Sequence, residues 1–176
     1  MLREKTKSTL DAFNKYVIQQ ARTNLTKGDR NVSKNLYDSL KGSAKVSANS
    51  FESSIEMENY GIFQDKGVKG KMSSAKAPAS PFQFGSGTGK KGGLSEGILG
   101  WVQKKRFQFK DRKTGKLMSY KSTAFLISRS IYLKGMKPTN FISRPFELAF
   151  KRLPDDIIEA YGLDLETFLK YTLKSK

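Results

Sequence analysis

Residues 44–58 read Ala-Lys-Val-Ser-Ala-Asn-Ser-Phe-Glu-Ser-Ser-Ile-Glu-Met-Glu, and the spacing of their apolar side chains decides the fold class. Ala44, Val46 and Ala48 alternate with Lys45 and Ser47, and Ile55 and Met57 alternate with Glu56 and Glu58. Because successive side chains of a strand point to opposite faces, this pattern predicts two antiparallel strands turning near Asn49-Ser50, one face apolar and the other charged. Tyr60-Gly61-Ile62-Phe63 is aromatic enough to extend the sheet. Upstream the period changes. Leu10, Phe13, Val17, Ala21 and Leu25 recur at steps of three and four, which predicts a helix from about Lys5 to Thr26, stopped by Lys27-Gly28-Asp29. Val32, Leu36, Tyr37 and Leu40 give a shorter helical pattern or an ordered loop, with a cap at Asp29 or Asn31 and an end at Gly42. The predicted class is α+β: a long N-terminal helix packed on a small antiparallel β-sheet, a long flexible Gly/Ser/Pro-rich loop, and a helical C-terminal region.

Working outward, residues 72–93 are dominated by Gly, Ser, Ala and Pro, with Phe82 and Phe84 the only sizeable apolar groups after Met72. So little apolar surface does not offset the entropy of ordering, which predicts a mobile loop whose two aromatics dock on a neighbouring subunit. Leu94, Ile98, Trp101 and Val102 suit a helix ending near Arg106, and Lys113-Thr114-Gly115-Lys116 suggests the turn of a second hairpin over residues 107–120. Tyr120, Ala124, Ile127 and Ile131 mark another helix, closed by Gly135. Residues 138–144 should be extended, with Ser143 capping a helix that starts at Pro145. Pro154 before Asp155-Asp156 opens a further helix, and Gly162 separates it from a last piece over residues 164–174. At 176 residues and 19.8 kDa, the expectation is a single domain over residues 1–152 with a flexible basic arm at about 66–93, followed by a helical extension at 153–176.

Composition narrows the chemistry. The chain has no Cys and no His, which removes disulfides, zinc fingers, thiol nucleophiles, imidazole bases and His-ligated metals. Its longest strongly apolar run, Ala124-Phe125-Leu126-Ile127, is far shorter than the ~20 residues of a membrane-spanning helix, so no membrane partner is expected. The N-terminal residues lack the apolar stretch of a secretory signal, which predicts a chain that stays in the cell that makes it.

Thirty-three Lys and Arg stand against 16 Asp and Glu, for a net charge of +17. Residues 66–121 hold 14 of the basic residues and only two acids, Glu96 and Asp111, so +12 of that charge lies in under a third of the sequence. A charge so concentrated repels itself unless a polyanion or an acidic protein meets it. The densest part comprises Lys104, Lys105, Arg106, Lys110, Arg112, Lys113 and Lys116, interleaved with Trp101, Phe107 and Phe109. Basic side chains tracking phosphates while aromatics stack on bases would suit a nucleic acid. Alternation favours a plainer reading of the aromatics, with Phe107 and Phe109 on the buried face of a strand and the charges solvated. From Pro145 onward six acids and five bases give −1, so an acidic end of one copy can meet the basic arm of the next.

Candidate catalytic motifs fail on context. Gly87-Thr88-Gly89-Lys90-Lys91-Gly92 fits a dinucleotide fingerprint by spacing but follows no buried strand, and Lys91 occupies the hydroxyl position that a P-loop needs. Glu52, Glu56, Glu58 and Asp65 suggest a magnesium site for phosphodiester hydrolysis, yet alternation already explains Glu56 and Glu58 as a strand's wet face. Pro154-Asp155 followed by Glu166 fits a nuclease pattern except that Phe168 stands where its Lys belongs. No catalytic residue, cofactor or metal is therefore expected.

Tyr60-Gly61-Ile62-Phe63-Gln64-Asp65-Lys66-Gly67-Val68 resembles a strand of tailed-bacteriophage tail-completion (neck, or head–tail connector) proteins that typically reads Tyr-Ala-x-Phe-Val-Glu-x-Gly-Thr. Residues 135–146, Gly-Met-Lys-Pro-Thr-Asn-Phe-Ile-Ser-Arg-Pro-Phe, resemble the family's closing motif, an extended stretch entering a Pro-started helix. The order of elements agrees from about residue 5 to 152. Asp65 and Val68 replace the family's Glu and Thr, the spacing from Phe141 to Pro145 is one residue longer, and residues 153–176 are additional. The resemblance implies a non-catalytic virion subunit, made in the bacterial host, that forms a homo-oligomeric ring between the portal or connector and the tail. DNA in the lumen is a further implied neighbour. The alternatives are a basic nucleic-acid-binding protein outside the virion and a metal-dependent nuclease.

Overall fold

A computed structural model of the chain describes residues 3–28, 33–47, 50–86 and 93–174. The elements run α1 (Glu4–Lys27), α2 (Asn35–Ser39), β1 (Lys41–Val46), β2 (Phe51–Glu56), α3 (Gly61–Lys66), α4 (Gly93–Lys105), α5 (Tyr120–Lys134), α6 (Ser143–Phe150) and α7 (Leu153–Lys174). The architecture is α+β, with a long N-terminal helix, a two-stranded antiparallel sheet and a helical C-terminal region.

The chain divides into two compact units, where the sequence suggested one domain with an extension. The first unites residues 1–58 with 141–176, and the second is residues 59–140. In the first unit α1 is the spine. Its predicted stripe is buried throughout: Leu10, Phe13, Val17, Ala21 and Leu25. The lower part of the stripe joins Leu36, Leu40 and Phe141 in one cluster, and the upper part joins Leu153 of α7 in another. The strands lie on α1 in the predicted sense, with Ala44, Val46 and Ile55 packed against the second cluster. On the wet face Lys45 pairs with Glu52 and Lys41 with Glu56.

Register is fixed from the helix. Asn14, buried in α1, donates from Nδ2 to the Ser43 carbonyl (3.0 Å) and accepts from the Ser53 hydroxyl (2.7 Å), so a single amide holds both strands. Gly42 lies so close that a Cβ there would stand 2.8 Å from that of Asn14. This approach explains why β1 begins at Lys41, upstream of the alternating residues, and why Gly42 sits inside a strand rather than ending a helix. The proposed turn residue Asn49, Ala48 and the cap candidates Asp29 and Asn31 lie outside the described residues, as does Val32.

Several further expectations change. The 60–63 stretch is not a strand. Residues 61–66 form the helix α3, whose Gln64 and Asp65 carbonyls accept the backbone amides of Thr139 and Asn140. Ser143 is the first helical residue of α6 rather than the residue before the helix, because α6 starts directly after Ile142. Gly162 does not interrupt α7, which runs through it because packing on α1 sustains both halves: Leu153, Ala160 and Asp164 all lie buried on that side.

In the second unit, Val68 and Met136 exchange backbone hydrogen bonds of 3.0 and 2.8 Å. Gly135 closes α5 at φ 81, and a Cβ there would lie 2.5 Å from the Val68 carbonyl oxygen, so only glycine permits this crossing. The two stretches that carry the family resemblance thus join here, through Val68–Met136 and through the α3 carbonyls. The arm expected over residues 66–93 is, up to residue 86, a hydrogen-bonded part of this unit. Ser80 donates to the Gly67 carbonyl (2.7 Å) and accepts from the Phe82 amide, while Lys69 bonds the backbone of both Phe82 and Phe84. Backbone pairing supplies what the sparse apolar surface does not.

Candidate nucleic-acid interface

The basic residues singled out from sequence gather on α4, on the loop that follows it, and on the turn leading into α5, all within the second unit. α4 packs on α5 and buries Val102, with Thr123 and Ala124 of α5 also buried. After Lys105 the chain reverses at Arg106, which takes a left-handed conformation at φ 52. Helices commonly end on a residue of this kind, but it is usually glycine, since a Cβ is disfavoured there. The reversal lets the Phe107 amide return to the Val102 carbonyl (2.9 Å) and sets the Phe107 ring 6.1 Å from that of Trp101. Arg106→Gly should therefore raise the thermal stability of the chain by about 1 kcal/mol; an unchanged or lower melting temperature would contradict a strained cap.

The expected second hairpin is reduced to a single bridge between Lys110 and Leu117. Its ladder cannot extend because the backbone amides go elsewhere: that of Phe107 to α4, and that of Phe109 to the Thr123 hydroxyl of α5 (3.3 Å). The turn itself is well made. Asp111 Oδ1 accepts the amides of Lys113 (2.7 Å) and Thr114 (3.1 Å), and Gly115 takes φ 67. One of the two acids in the basic segment is thus engaged with backbone.

With no strand to bury them, Phe107 and Phe109 stand on the surface, 41 and 37% exposed, beside Trp101 at 37%. This overturns the buried-face reading of those rings. The three form a series, with Phe107 edge-on to Phe109 at 5.2 Å. Around them Lys104, Lys105, Arg106, Lys110, Arg112, Lys113 and Lys116 are exposed. Apart from Lys105, none of these makes an ion pair among the described residues. Lys104 and Lys105 also complement the negative end of the α4 dipole, a local role that the turn cations do not share.

Phe82 and Phe84 are half-buried against their own unit, Phe82 edge-on to Phe63 at 4.7 Å and Phe84 tilted against Tyr132 at 5.9 Å. The Gly87–Gly92 motif lies outside the described residues.

The carboxylates do not converge. Glu52 and Glu56 face lysines across the sheet, Asp65 is buried in α3, and Asp155 and Glu166 lie on one helix about 16 Å apart along its axis. A hydrogen bond from Lys170, reinforced by its charge, holds Glu166 below the usual carboxylate range. Among the described residues no group of three or more acids could hold a metal ion, and no helix is long and apolar enough to cross a membrane. No family model, curated protein or solved structure matches the chain.

A surface that the sequence reading passed over lies on α7. Beside its buried side, Ile158, Tyr161, Leu165, Phe168 and Leu169 share a second stripe and are 39–71% exposed. Its residues recur in the sequence at steps of three and four, the spacing of one helix face.

Proposed function

We propose that the chain is a structural subunit of a tailed bacteriophage, forming a homo-oligomeric ring at the head–tail junction that joins the portal or connector to the tail. Its work is assembly, and the reading includes no catalytic step, cofactor or metal. The observation that carries it is the exposed apolar stripe of α7, since contiguous apolar surface of this kind marks a protein–protein contact. The joint between residues 60–68 and 135–140 pairs the two family-like motifs through Val68 and Met136, although residues 61–66 form a helix where the family has a strand. The basic segment of the second unit would face a polyanion, either DNA in the lumen or an acidic surface of a neighbouring ring. Phe82 and Phe84 remain candidates for contact with an adjacent copy through the sides their own unit leaves open.

Light scattering of the purified full chain should report a mass several times 19.8 kDa. Ile158→Asp combined with Leu169→Asp should return it to a monomer with unchanged far-UV circular dichroism. A wild-type chain that stays monomeric at every concentration contradicts the proposal. The exposed Trp101–Phe107–Phe109 series favours a second reading, a nucleic-acid-binding protein that is not built into the virion; it predicts such a monomer, binding DNA with a steep salt dependence.

A further inference from the structure

We infer that the face formed by α4, Arg106 and the 110–116 turn binds single-stranded nucleic acid, with its aromatic rings stacking on unpaired bases. The inference deepens the polyanion-facing role proposed for the basic segment and rests on that role alone, independently of ring formation. Charge complementarity supplies the first argument. The turn cations Lys110, Arg112, Lys113 and Lys116 are exposed and make no ion pair among the described residues, while Asp111, the acid nearest them in sequence, is bound to the turn's own amides. A flexible polyphosphate chain is the partner that such a cluster attracts through counterion release.

The rings supply the second argument, and it separates nucleic acid from other polyanions. Trp101, Phe107 and Phe109 follow one another at centroid spacings of 6.1 and 5.2 Å, with planes inclined by 54 and 78°. Inclined rings do not stack face to face on one another, so faces remain for planar guests. An acidic protein surface offers few such guests, and a duplex keeps its base faces inside the stack. A single strand exposes them, and every base has a π-face, so binding should be tolerant of sequence. The left-handed Arg106 is the third argument. A position where glycine would relieve the backbone instead carries an exposed cation, in the residue that immediately precedes Phe107, so a charge for phosphate is kept next to a ring at a cost in backbone strain. Nothing in this arrangement reads a 2′-hydroxyl, so DNA and RNA strands should compete on equal terms.

The test is fluorescence anisotropy of the purified full chain with labelled oligo-dT, a duplex of equal length, oligo-U and poly-glutamate, over a salt series. The expected result is tighter binding to oligo-dT than to duplex by tenfold or more, with oligo-U equivalent. Trp101→Ala should weaken the single-strand complex roughly five- to a hundredfold. Arg106→Gly, which leaves the fold at least as stable, should lower the slope of log affinity against log salt by about 0.7. Equal or preferred duplex binding, indifference to both variants, preference for poly-glutamate, or no binding at low salt would each overturn the inference. Oligomer size measured on the same samples is a separate readout: binding without rings sinks the ring proposal alone, and rings without binding sink only this inference.

Discussion

Phe141→Ala is expected to destabilise the first unit by about 3–5 kcal/mol, a large share of the ~5–15 kcal/mol that holds a typical domain folded. Phe141 is 1% exposed and fills the space among Ala21 and Leu25 of α1, Leu36 of α2 and Leu40. Its carbonyl also accepts the Asn24 side-chain amide (3.1 Å), so the residue marks where the chain re-enters the first unit and is tied to α1. Truncation removes the ring from a site whose neighbours stand on two separate segments, α1 and residues 36–40, and these cannot both move in to close the cavity. Urea unfolding followed by circular dichroism measures the loss. A change under ~1 kcal/mol would mean that the cluster collapses around the gap and that this core is looser than its burial indicates.

Asp164→Ala should cost about 2–3 kcal/mol and leave the N-terminus of α1 uncapped. α1 begins with no side-chain cap of its own, Arg3 sitting at φ 88. Its cap arrives from α7. The Asp164 carboxylate accepts the amides of Lys5 (3.2 Å) and Thr6 (3.0 Å) and the Thr6 hydroxyl (2.9 Å). Burial alone would raise the pKa of this carboxyl, but the Thr6 amide and hydroxyl, the Lys5 amide and the Lys5 charge together hold it below its ordinary value. A group whose pKa is depressed on folding stabilises the fold at every pH above its unfolded value and loses that contribution as pH falls through the folded one. Stability should therefore decline from about pH 5 downward, and this part of the decline should vanish in Asp164→Asn. Asp164→Asn keeps one acceptor oxygen and should fall between the wild type and Asp164→Ala. Denaturant midpoints of the three chains across pH 2–7 test the assignment; parallel acid profiles would refute it.

How much of this was legible in the sequence depended on the range over which each feature is determined. The α1 stripe, the faces of β1 and β2, the limits of α4 and α5, and the closure at Gly135 all follow from patterns confined to a few turns or strand residues. Features fixed by distant partners were not visible. Tyr60-Gly61-Ile62-Phe63 has the composition of a strand, yet Thr139 and Asn140 take up the carbonyls of Gln64 and Asp65 in a helix. Gly162 is a reasonable break by propensity, but contact with α1 carries α7 through it. Asp164 as the cap of α1 crosses 158 residues between its partners, and no local motif announces it. For the candidate interface, the cations were legible from charge counting alone. The exposure of Phe107 and Phe109 was not, because alternation predicts a strand and the strand fails only when Thr123 of α5 captures the Phe109 amide.

The central claim, that the protein's work is to join head to tail, is tested most directly by electron microscopy of particles formed when its synthesis is blocked in the infected host. The account predicts DNA-filled heads and finished tails lying separate, rejoined when the wild-type chain is supplied. Complete, infectious particles in its absence would contradict it.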